Sequence, residues 1–600
     1  VVAWSFLAIL AVTACSPETV PRDTAEDMNA FAPPSPWLKQ LFAQSDEAML
    51  QRNPMTGVFR GDLRYTDQFG EYFSAAYFEA ERAAAVHDLA VLDSISRASL
   101  NANDQISYDT FKWQRTTDLR GFAPEIVEAI KARPIDHFNG LHNQFVDMSS
   151  GQGAARFQTL KDYEDGLSRL QGFAREMDTA RTAFEAGVAA GIVHPKMITR
   201  NVISQLDGLI AQGVDSSPLY GPITMFPADI PTPDKLRLGD AYRATIAEQV
   251  IPAYTRLRDY LKTDYLKASR DSVGMLAMKY GPELYRHMVL VYTTTSLTPD
   301  SIHQIGLSEV ARIRAAMDSV KTQVAFDGTL REFFDHLRKD TAFQPATADT
   351  LRVMYEAIGA KVDLRVRDLF STMPKTALEI RAVPSYLEQS QAAGYYNQGT
   401  PDGSRPGVFF YNTYDLPSRS ITGMETLYLH EAIPGHHFQI SLAQENVALP
   451  NFQRFGGNGA FIEGWALYAE SLGFELGLFT DPYQYFGSLN DEMLRAMRLV
   501  VDTGIHEKGW TRDQAIAYML ANSAMGKTDA TSEVERYIAW PAQALGYKIG
   551  QLTIRRLRTE AERALGDKFD VREFHTQVLS SGALPLEVLE SKINRWIAGK

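Results

Sequence analysis

Residues 424–440 read METLYLHEAIPGHHFQI, and they gather His430, Glu431, His436 and His437 into eight positions. Imidazoles and carboxylates are what Zn2+ takes as ligands, and a hydrolytic zinc site leaves one position to water. The usual way to supply two ligands is H-E-x-x-H on a helix, with the histidines four apart on one face. Here Pro434 stands where the second histidine would be. His436, six residues after His430, is rotated by roughly 240° on a regular helix. His437, seven residues after, returns to within roughly 20° but about 10 Å further along the axis. Proline removes a helical hydrogen bond and glycine tolerates unusual backbone, so Pro434-Gly435 can carry a bulge that absorbs two extra residues. That geometry favours His436 as the second ligand, with His437 as the alternative.

A third ligand is expected from a carboxylate on a following helix. The segment 459–474 (GAFIEGWALYAESLGF) offers Glu463 in apolar surroundings, where an unpaired carboxylate is costly. Glu470 lies seven residues later on the same face and is placed to orient a ligating histidine. Glu431, adjacent to His430, suits a general base acting on a metal-activated water; the plain alternative is an exposed helix glutamate. Asp502 and His506 are four apart, so on a helix they face each other. Such a pair either orients His506 toward a substrate or is structural. Arg405 could meet a substrate carboxylate, or pair with nearby Asp402. The strand-like run 407–412 (GVFFYN) could pair with an extended peptide, or serve only as an edge strand.

These residues need a scaffold, and the sequence around them reads as helical. Stretches 73–97, 154–190, 240–270 and 301–322 carry apolar residues at three- and four-residue spacing. Thr298-Pro299-Asp300 has the form of a helix N-terminus. Strand-like segments are few, the clearest being 378–383 and 407–412 about a Gly- and Pro-punctuated loop over 394–406. The expected fold is mostly α, a large helical body with a small β-sheet beside the metal-binding helix. A helical N-terminal half (37–290) would pack on a helical catalytic half (291–600). No fixed-period repeat suggests a solenoid.

The motif HEAIPGHH at 430–437 resembles the signature of the bacterial domain of unknown function 885 family, often lipoproteins and grouped with gluzincin-type zinc peptidases. The resemblance extends to DGSRPGVFFYN (402–412), EGWALYAE (463–470), VVDTGIHEKGWTRDQAIAYM (500–519) and EVERYIAWPAQALGYKIG (533–550). It implies an oligopeptidase-like body, with Glu463 as third ligand. More distantly, Arg536-Tyr537 is similar to the Arg-Tyr pair of angiotensin-converting-enzyme-like gluzincins, whose tyrosine steadies the oxyanion. Without that analogy Tyr537 reads equally as a packing residue. Tyr547 is a further candidate for substrate contact.

Composition narrows the partners. The net charge of −13 over 600 residues lacks the basic face that nucleic acid requires. Val1 to Ala14 is almost wholly apolar and too short to span a bilayer, but it has the form of a secretory h-region. Val12-Thr13-Ala14-Cys15 resembles a bacterial lipobox. That implies a leader over 1–15, a lipidated Cys15 and membrane attachment, with Ser16 favouring the outer membrane of a Gram-negative bacterium. Residues 16–36 are polar and Pro-rich, as in a flexible tether. Cys15 is the sole cysteine, which excludes an internal disulfide and a Cys-rich zinc site. The expected activity is zinc-dependent hydrolysis of short peptides or peptide-like envelope fragments. The alternatives are a zinc hydrolase of other amides or esters, and a non-catalytic binding lipoprotein.

Overall fold

The computed structural model describes residues 34–384, 388 and 392–600. Cys15, the leader and nearly all of the expected tether lie outside the described residues. The chain enters its first described helix at Pro36, where Ser35 Oγ accepts from the Leu38 N–H at 3.3 Å.

Local chemistry sets the helix limits. The stretch expected from 154 becomes helix α1 only at Leu160–Ala190. Asp162 holds the Gln158 and Thr159 N–H groups at 2.9 and 2.8 Å, which fixes the turn before the helix. Thr298 caps helix α2 (Pro299–Gln323) through the Ser301 N–H, as its Thr-Pro-Asp opening requires.

The small sheet has three strands, β1 (Leu378–Ala382), β2 (Gly394–Asn397) and β3 (Gly407–Tyr411), in the order β1-β3-β2. β1 runs parallel to β3, with Leu378 opposite Gly407; β2 runs antiparallel, with Gly394 opposite Tyr411. The sequence reading placed β2 inside a loop. Four residues opening on glycine are too short to show alternation, so pairing with β3 rather than local pattern makes them a strand. The expected role of β3 as an edge open to a peptide is also corrected, because β3 is central and paired on both sides.

The C-terminal half supplies α3 (Met424–Glu431), α4 (His436–Glu445), α5 (Gly459–Glu470), α6 (Pro482–His506), α7 (Lys527–Ala539) and α8 (Leu545–Leu565). Helices α3, α5, α8 and α6 touch in sequence around a ring, closed by α6 against α3. α5 and α8 meet backbone to backbone. A Cβ on Gly550 would stand 1.9 Å from the Ala460 carbonyl oxygen and 2.7 Å from Gly464 Cα, so no side chain fits there. α6 divides the apolar interior. Met493, Met497 and Val500 join one large core with Phe173 and Tyr254, while Leu499 joins the other with Tyr428, Trp465 and Ile549. From Ala496 to His506 every residue of α6 is buried.

Candidate metal centre

The expected bulge is a complete break. α3 ends at Glu431 and α4 begins at His436, with Ala432 to Gly435 folded between them. Pro434 has no N–H to continue the ladder. A Cβ on Gly435 would fall 1.9 Å from the His430 carbonyl oxygen and 2.3 Å from that of Leu429, so the chain can fold back there only as glycine. The Trp465 indole N–H, on α5 two residues after Glu463, donates to the Pro434 carbonyl at 2.8 Å. One helix therefore both carries Glu463 and pins the break that swings His436 round.

The result brings His430, His436 and Glu463 together, each offering one ligand atom within 4.8 Å of the others. Glu463 Oε2 lies 3.4 Å from His436 Nε2 and 3.7 Å from His430 Nε2. Ligands on a tetrahedral zinc with bonds near 2.0–2.1 Å are separated by about 3.3 Å, close to this spacing. His430 Nδ1 donates to Glu470 Oε1 at 2.7 Å, and Glu470 Oε2 accepts from Thr426 Oγ1 at 2.9 Å. That bond sets the tautomer and turns His430 Nε2 toward Glu463.

The charges of the set act strongly on one another. Burial by itself would lower His430, but its bonds to Glu463 and Glu470 and the charge of Glu431 outweigh it and push the imidazole up to about 10. Burial works to raise Glu463, yet the two histidines hold its carboxyl well below the usual range. Glu463 Oε2 and His436 Nδ1 are buried without hydrogen-bond partners. Two imidazoles and one carboxylate with an orphaned oxygen fit a zinc ion.

His437 is not part of this set. It is 1% exposed, its Nδ1 meets the Tyr396 hydroxyl of β2 at 3.0 Å, and burial pushes it down to about 4. Glu431 is buried beside His430 at the end of α3.

Other expected residues fall elsewhere. Asp502 and His506 do not pair. Asp502 accepts from the Tyr285 hydroxyl at 2.6 Å and from the Ala542 N–H at 2.9 Å, and burial pushes it up to about 7. His506 Nδ1 accepts from the Met275 N–H at 3.1 Å, and its Nε2 donates to the Tyr537 carbonyl at 3.0 Å. Burial pushes His506 down to about 3, and both ring nitrogens are used within the fold. Tyr537 is fully buried, its hydroxyl donating to Glu533 at 2.5 Å and accepting from Arg498 Nε at 3.2 Å, so that hydroxyl is engaged within the fold. Asp402 bonds Ser404 rather than Arg405, because its carboxylate closes the tight turn at 402–404. Arg405 Nε is left buried without a partner. The Tyr547 ring lies under the Arg498 guanidinium, 4.5 Å from its carbon.

The residues not foreseen are mostly on α6. Asp491, Arg495 and Arg498 recur at four- and three-residue spacing, a charged stripe on an apolar helix that was legible in principle. Arg495 lies 3.9 Å from Glu470 and 3.7 Å from Asp491. Burial and the Glu470 charge push Asp491 up to about 6 against the pull of Arg495.

The chain belongs to the family described as "Bacterial protein of unknown function (DUF885)", which it matches over residues 54–593. Its fold is similar to that of a solved structure described as "the putative lipoprotein from Colwellia psychrerythraea". The two are 28% identical with a TM-score of 0.87, covering 94% of this chain and 99% of the other. A "putative lipoprotein of unknown function" from Shewanella oneidensis shares the fold at 19% identity and a TM-score of 0.67, covering 92% and 99%. No curated protein matches the chain. Among the described residues no helix is long and apolar enough to cross a membrane.

Proposed function

We propose that this protein is a zinc-dependent peptidase acting on short peptides or peptide-like envelope fragments. The observation that carries the reading is the convergence of His430, His436 and Glu463, with the buried Glu463 Oε2 lacking a hydrogen-bond partner and Glu431 next to His430. Zinc bound there would supply Lewis acidity and a water acidified to near neutral pH. Glu431 accepts the proton of the attacking water on its carboxylate and hands it to the leaving nitrogen. Glu470 keeps His430 in the tautomer that presents Nε2. A purely structural zinc site is normally closed by four protein ligands, whereas three converge here.

The apolar leader ending at Cys15 and the two similar lipoproteins support attachment to the bacterial envelope through a lipidated cysteine, at the outer membrane.

The test uses the chain without residues 1–15. Metal content is measured, and a peptide library is digested with wild type and Glu431→Gln. Stoichiometric zinc in both proteins, with cleavage only by wild type, is the expected result. Wild type that binds no zinc would overturn the proposal, and zinc with cleavage only of non-peptide amides or esters would replace it by a different hydrolase.

A further inference from the structure

A second charged cluster joins α6 to α7. Arg498 on α6 and Arg536 on α7 share one carboxylate, Glu533. Arg498 sets Nε and Nη2 at 3.3 and 3.0 Å from Glu533 Oε2, while Arg536 Nη1 stands off at 3.6 Å from Oε1. Within this trio two cations face one anion, while Asp491, which also feels the charge of Arg498, pairs with Arg495. Arg498 takes the closer share of that carboxylate, which leaves Arg536 as the cation free to meet an anion from outside.

Two further observations point to a ligand. Arg498 is 4% exposed, and its Nη1 is buried with no hydrogen-bond partner. Arg536, by contrast, leaves 20% of its side chain exposed. It is held in place by Gln543 Oε1 at 2.7 Å and the Tyr547 hydroxyl at 3.5 Å, both from Nη2. The Tyr547 ring supports the Arg498 guanidinium from below. A reachable guanidinium, fixed by neutral groups and backed by a second cation, is a receptor for a planar anion.

Its position ties it to the metal set. Tyr547 lies on α8 one turn before Gly550, which presses on Ala460 and Gly464 of α5, the helix that carries Glu463. Arg498 lies on α6 one turn after Arg495, which approaches the Glu470 that orients His430. The ring of helices that carries the metal set thus also carries Arg498, on α6, and Tyr547, on α8.

We infer that Arg536, supported by Gln543, Tyr547 and Arg498, is the seat for a carboxylate of the substrate. This rests on the peptidase reading and narrows it to peptides that present a carboxylate near the scissile bond, from the C-terminus or from an acidic side chain.

The zinc-loaded chain is assayed on peptide pairs that differ only as C-terminal acid and amide, and on pairs that differ only as Glu and Gln. One pair is expected to favour the acid in wild type by ~10–100-fold in kcat/KM, the size of a charge-assisted contact. Which pair does so identifies the source of the carboxylate. Arg536→Gln should abolish that preference, and Arg536→Lys, which keeps the charge, should retain part of it. Equal rates on acid and neutral peptides by wild type would overturn the proposal. So would an equal loss on both in a folded Arg536→Gln protein. Calorimetry with an N-acetyl amino acid and its amide, on metal-free protein, separates the seat from the peptidase reading. Acid-selective binding lost in Arg536→Gln supports the seat even if no peptide is cleaved, and absence of selectivity sinks it.

Discussion

Trp465→Phe isolates the hydrogen bond that shapes the metal site. The variant keeps an aromatic ring in a fully buried place but removes the N–H that reaches Pro434 at 2.8 Å. Leaving that carbonyl without its donor costs ~1–3 kcal/mol, and the lost part of the indole adds a packing term against Phe370, Tyr468 and His575. A fall of about 2–4 kcal/mol in unfolding free energy is expected from urea titration of the metal-free protein. The more telling number is zinc affinity. Because the break at 432–435 delivers His436 to Glu463, loosening it should weaken zinc by ~10–100-fold, as removal of an outer-shell contact does. That is about 1.4–2.7 kcal/mol, read by competition with a chelating dye. Phe370→Leu is the control, since it cuts packing on the same indole and spares the N–H. Equal losses of zinc affinity in the two variants, or none in Trp465→Phe, would refute the positioning argument and leave the indole as core alone.

Further outcomes follow from the same geometry. His436→Ala should abolish zinc binding, while His437→Ala should retain it and lose only the contact with Tyr396; metal analysis of the two purified proteins decides. Gly550→Ala drives a methyl onto the Ala460 carbonyl and should cost about 3 kcal/mol or more, whereas Gly208→Ala, with nothing within 4 Å of its added carbon, should stabilise by ~0.4–1 kcal/mol in the same urea assay. Lys592 is buried against Ser580, Ser581 and the Gln577 carbonyl, and burial pulls it from 10.5 down to about 7. Its folded value is depressed, so the unfolded chain binds the proton more tightly between those limits, and the contribution to stability present above 10.5 is lost as pH falls toward 7. The stability difference between wild type and Lys592→Met should therefore grow as pH rises across that window. A difference that stays flat would contradict it.

Much of the site was legible because its chemistry is packed into short stretches. Spacing alone showed that Pro434 breaks the usual two-histidine face, and the structure places the favoured His436 with His430 and Glu463. It understated the break, because only the backbone shows that Gly435 sits on the His430 carbonyl. Helices announced themselves through caps such as Thr298, and their starts were misjudged where a side chain acts on its own backbone, as Asp162 does. β2 was missed because its reason for being extended lies in β3. The Asp502–His506 pairing failed for a related cause. Helical spacing says which side chains face one way, but α6 is buried there, and each residue found a nearer partner on another element. Partners distant in sequence, such as Glu533 for Arg498, leave no trace in local pattern.

The place of α6 between the two cores also limits how the protein can move. Its eleven buried residues from 496 to 506 are held on one side by packing from the N-terminal region and on the other by the helices of the metal set. Parting the molecule along that line would expose both interiors at once, which makes α6 an axle rather than a hinge.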